Sequence, residues 1–246
     1  MANINSDSVL IAADEKADSY KFYDNSEKLD QRLKVLAFSD VQAYPNVQFI
    51  ANQNLVPGML FGKHPYLANT YIDLNIYEDT IFNYTQLKMR QISFLLGVKK
   101  VDFSVKVLQS KKSEKNLHIE GNSKEVDADL KIAKIEEQKL TNLYSKSFEF
   151  EGEADKNTYD KAKQLAEESG LLNKIDDIDE LIMYHDPSLP VSEKKRTIKI
   201  QIAKEYNSRL DIAATVDYLK IFSIKTDYES KFHLYNEYVY EVTLEW

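Results

Sequence analysis

The chain has 246 residues, no cysteine and a formal net charge of -8. That composition excludes disulfides, thiolate nucleophiles and cysteine-held metals, and it works against wrapping a nucleic-acid backbone. Hydrophobic residues make up 43%, with 16 Tyr and 11 Phe, which supplies a core and argues against wholesale disorder.

Residues 1–25 are polar and acidic, with Asp7, Asp14, Glu15, Asp18 and Asp24 among small residues, and read as a flexible arm. The apolar run at 9–13 is too short for a signal core, and no stretch reaches the ~20 apolar residues of a membrane-crossing helix. A cytoplasmic protein is the expectation. Ser26 can cap a helix that carries Leu29, Leu33 and Leu36 on one face and ends near Asp40. Pro45, Pro57, Gly58, Gly62 and Pro65 then break the chain, leaving short strands at 47–50 and 71–76.

A second helix is predicted after Asp79. There Ile81, Tyr84, Leu87, Lys88, Gln91 and Leu95 keep a helical rhythm, and Gly97 stands where a C-terminal glycine belongs. The pattern then changes: Val101, Phe103, Val105 and Val107 alternate with polar residues, as do Val126, Ala128, Leu130 and Ile132. With 143–150 these make a three-strand meander. A third helix follows Asn157 or Thr158 and stops at Ser169-Gly170; a fourth covers 171–184 and ends before Pro187 and Pro190. Three terminal strands are predicted at 197–205, 208–226 and 228–246. Lys99-Lys100, Lys111-Lys112 and Lys194-Lys195-Arg196 read as solvated charges at strand ends.

Helix then three strands therefore occurs twice, at 78–97 with 101–150 and at 156–184 with 197–246, which suggests an internal duplication. Neither strand group has the helical crossovers a parallel sheet requires. The expected fold class is α+β, with antiparallel sheets of long strands packed against about four helices. Beyond the arm, residues 26–246 form one expected domain with sub-halves 26–152 and 153–246.

The chemistry is sparse. His64, His118, His185 and His233 lack the spacing of a helical metal site, so no metal or cofactor is expected. His185-Asp186 pairs a base with a carboxylate, and Asp176, Asp177, Asp179 and Glu180 lie just before it. Such oxygen ligands could serve a metal-dependent hydrolase; the plainer reading is an acidic helix end followed by an Asp-Pro turn. The run from Gly58 to His64 looks like a phosphate loop, but it is one residue short between its glycines and has His64 where Ser or Thr would hold magnesium. No serine elbow of the GxSxG kind occurs.

Tyr44, Tyr66, Tyr71, Tyr77 and Tyr84 cluster in the loop-rich region. They are candidates for contact surface, or for core rings with hydroxyls at the edge. The segments VDADLKIAKI and RLDIAATVDYLKIF alternate small apolar and charged residues over the ~9 to 11 positions that span a membrane as tilted strand. A one-sided soluble sheet has the same alternation. Three functions follow: a non-catalytic protein that binds protein partners or itself, a soluble pore-former with two amphipathic hairpins, and a hydrolase using His185 and Asp186. Nucleic acid is not an expected partner, and a membrane is one only for the pore-former.

Overall fold

The computed structural model of the chain describes residues 3–22, 31–112, 145–151, 156–189, 193–200 and 234–246. These residues form an α+β protein with two sheets, one of five strands and one of four, four α-helices and a 3-10 helix. The chain divides into two compact units. The first holds the described residues of Met1–Ile81 and Lys204–Tyr235, the second those of Phe82–Ala203 and Asn236–Trp246.

The first unit is built on β1 (Ser8–Ala12), whose five residues are all buried. Val9, Leu10 and Ile11 are apolar on both faces of the strand, as a strand covered on both sides requires, and each contributes about 2 kcal/mol by leaving water. β2 (Leu33–Ala37) runs parallel to β1 on one side, after helix α1 (Asp14–Phe22). On the other side β4 (Leu60–Lys63) is antiparallel to β1, β5 (Thr70–Asp73) is antiparallel to β4, and β3 (Gln48–Ile50) lies parallel to β5. A 3-10 helix, Phe38–Ala43, follows β2. Ile4, Val9, Ile11, Leu36, Met59, Phe61 and Tyr71 make one core cluster, with Phe49 set edge-on to Phe61 at 5.0 Å.

Three sequence expectations are corrected here. Residues 3–22 are not an arm: they carry β1 and α1. The helix expected over 26–40 is a strand and a 3-10 turn where it is described, because Leu33, Leu36 and Ala37 gain more by pairing with β1 than by helical propensity. The sheet is not wholly antiparallel, since β1 with β2 and β3 with β5 run parallel. The phosphate-loop look-alike is the turn at Gly58, whose φ of 91° suits glycine, followed by β4.

The second unit has the strand order β7-β6-β9-β8. β6 (Lys100–Lys112) is antiparallel to β7 (Lys146–Glu149), and β8 (Lys195–Ile200) is antiparallel to β9 (Leu234–Glu245). Alternation holds as expected: Val101, Phe103, Val105, Ile198, Ile200, Tyr240, Val242 and Leu244 are buried. The helices are α2 (Tyr77–Leu95), α3 (Lys156–Glu168) and α4 (Asp176–Tyr184), and the division between the units falls inside α2. α2 ends as predicted at Gly97, whose φ is 73°, with Val98 N–H donating to Ser93 C=O at 3.0 Å. α3 ends the same way at Gly170. The strands expected at 126–132 and 208–226, Ser26, Leu29, His118, His233 and Pro190 lie outside the described residues. No helix among the described residues is long and apolar enough to cross a membrane.

Candidate functional site

His185 caps the C-terminus of α4 in the second unit. Its Nδ1–H donates to the carbonyl of Leu181 at 2.9 Å, which leaves Nε2 as the acceptor of a neutral ring. The ring lies flat on the indole of Trp246, centroids 4.4 Å apart and planes 18° apart. Burial pushes the His185 pKa below the usual histidine value, against the opposing pull of the Leu181 carbonyl and Glu193, while Arg196 lowers it further. Asp186 is engaged in its own loop. Its Oδ1 accepts the backbone N–H and the hydroxyl of Ser188 at 2.8 and 2.7 Å, and Leu189 N–H closes the turn on the Asp186 carbonyl. This is the Asp-Pro turn of the plainer reading.

The acidic residues before it have structural partners too. Asp177 Oδ2 accepts the backbone N–H of Lys199 on the outer edge of β8, at 3.0 Å. Asp179 Oδ1 accepts the N–H of Asn173, a residue with φ of 62°. Glu180 lies 3.5 Å from Arg196, which also forms a two-point bond with Glu193 and sits over the ring of Tyr184 at 4.9 Å. Among the described residues, no group of three or more His, Asp or Glu could hold a metal ion.

The five candidate tyrosines are spread over both units. Tyr71 and Tyr77 are fully buried, their hydroxyls donating to the carbonyls of Ile4 and Ser6 and of Lys63, so neither offers contact surface. Tyr84 is half-buried and donates to the carbonyl of Ser169 at 2.8 Å. Tyr44 and Tyr66 are half-buried; Tyr44 accepts from Lys34 Nζ at 3.1 Å, and Tyr66 meets the His64 ring edge-on.

The sequence reading missed a different surface. Leu87 and Gln91 belong to the rhythm that predicted α2, but the buried side of that helix in the second unit is Phe82, Thr85, Met89 and Ile92. Asn83, Leu87, Gln91 and Phe94 form an exposed line, with Leu87 42% and Phe94 51% exposed. Beside it runs the edge strand β7. Lys146 Nζ donates to Gln86 Oε1 at 3.3 Å, Arg90 lies over the Phe148 ring at 5.0 Å, and Phe94 meets Phe150 edge-on at 5.7 Å. A step of four along the helix thus matches a step of two along the extended chain. The signal available in the sequence was Phe94, apolar and outside the rhythm.

Comparison of the chain with protein-family models, curated proteins and solved structures finds no match.

Proposed function

We propose that the chain is a cytoplasmic, non-catalytic protein that acts by binding a protein partner or further copies of itself. The observation that carries this reading is the state of the best chemical pair in the sequence. His185 is fastened to Leu181 and covered by Trp246, and Asp186 closes its own turn, so each member of the pair is engaged in a structural contact. These contacts favour the structural reading of the pair over the hydrolase. Purified full-length chain is expected to exceed the monomer mass by light scattering, or to retain a protein partner saturably on an affinity column. A strict monomer at high concentration that retains nothing would remove the proposal.

A pore-forming reading keeps one specific support. In the sequence, VDADLKIAKI lies between β6 and β7 and RLDIAATVDYLKIF between β8 and β9, the two outer pairs of the four-stranded sheet. Each of these strand pairs follows helix in the chain, α2 in one case and α3 with α4 in the other, an order that also favours the internal duplication. Release of dye from liposomes by the full chain, before or after limited proteolysis, is the expected result of this second reading. Intact liposomes under both conditions exclude it.

A further inference from the structure

We infer that the exposed line of α2 and the adjoining strand β7 dock an acidic amphipathic helix from a partner protein. The inference rests on the binding function proposed above and gives it a place and a partner chemistry. Successive helix positions are about 100° apart, so Leu87 and Phe94 lie on one line, with Arg90 to one side and Tyr84 with Lys88 to the other. Half-buried Phe148 and Phe150 extend the apolar surface onto β7.

Three cations border that surface. Lys88 lies over Tyr84 at 5.8 Å, Arg90 over Phe148, and Lys146 against the Gln86 amide. Among the described residues none of these three cations is ion-paired. Three other cations of the same unit meet carboxylates: Lys100 with Asp102 at 2.8 Å, Lys195 with Glu245 at 2.7 Å, and Arg196 with Glu193 at 2.8 Å. Three unpaired cations framing exposed Leu87 and Phe94, on a chain of net charge -8, are complementary to a helix with apolar anchors and flanking carboxylates. Leu87 and Phe94 are separated by about 10 Å along the axis, two turns of an opposing helix. A phosphate backbone would leave both apolar side chains without a use.

The test uses the full chain and two fluorescein-labelled synthetic helices of about 18 residues, long enough to fold on contact. One has leucines at helical spacing among glutamates, the other the same leucines among lysines. The glutamate peptide is expected to bind saturably and the lysine peptide not at all. Lys88→Glu with Arg90→Glu, and separately Leu87→Gln with Phe94→Ser, are each expected to weaken binding about tenfold or more, with the thermal midpoint of each variant checked against the parent. Equal binding of the two peptides, no binding of the glutamate peptide, or parental affinity in either variant overturns the inference. So does binding to phosphatidylglycerol vesicles in place of the peptide, or a dimer mass that only these variants lose. If the parent self-associates or retains a partner while neither variant weakens binding of the glutamate peptide, the binding function stands and this surface falls.

Discussion

Nδ1 of His64 accepts the backbone N–H groups of Tyr66 and Leu67, each at 3.1 Å, in the turn that carries the chain from β4 to β5. The ring is buried and meets Tyr66 edge-on. Desolvation pulls its pKa down to about 4 from 6.5. An unfolded chain therefore takes up a proton at a pH where the folded chain does not. The stabilisation is complete above pH 6.5 and is lost as the pH falls toward 4, by about 3 kcal/mol in full. His64→Asn keeps an acceptor at the same position, because an Asn side chain closes the same kind of turn, but it does not titrate. Urea melts at pH 7 and pH 4.5 are expected to show a smaller acid loss in His64→Asn than in the parent, and equal losses would refute the assignment. The sequence reading recognised that the histidines lack metal spacing, and nothing in it marks His64 as a turn-closing acceptor. That role depends on burial, which a local pattern of residues does not encode.

Among the described residues, Arg196 makes several of the mixed contacts that hold elements to one another. It reaches from β8 to Glu180 and Tyr184 on α4, with its own neighbour Glu193 bound at two points, and it is only 11% exposed. Asp177 adds a second tie between the same elements and covers an outward N–H of the edge strand, a position otherwise open to strand pairing. Arg196→Ala is expected to cost about 2 kcal/mol, and Arg196→Lys most of that, since an ammonium cannot reproduce the planar fork or the stacking. Thermal melts in which Arg196→Lys matches the parent would show that charge alone matters here. The legible elements were those with strong local signals: α2, α3 and β6 form where predicted, although α2 buries a different side from its rhythm, and Gly97 and Gly170 stop helices as their positions predict. Leu33 and Leu36 fit both a helical face and a strand, and only the partner β1 decides between them.

At the scale of the whole chain, the α+β class was readable because alternation and helical rhythm occupy separate stretches. The two-unit organisation was not. It depends on β1, whose five residues look too few to matter when read alone and become a core strand once β2 and β4 lie on either side. The exposed surface on α2 was not legible for a related reason. The sequence drew attention to rare chemistry, His185 beside Asp186, while the exposed surface on α2 consists of common residues whose meaning comes from facing outward. Exposure of Leu87 follows from which side of α2 the sheet takes, and the hydrophobic rhythm alone fits either choice.

Trp246 is the chain's one tryptophan. Its backbone N–H bonds Lys194, its indole N–H bonds Leu96, and its ring covers His185. An excited indole gives up an electron readily to a protonated imidazole and little to a neutral one, so its emission should dim when His185 takes a proton. With that pKa held below the usual value, the dimming is expected at lower pH than for a solvent-exposed histidine, and it should vanish in His185→Gln. The native sequence thus contains an optical gauge that reports the second unit separately from the first, without any attached dye.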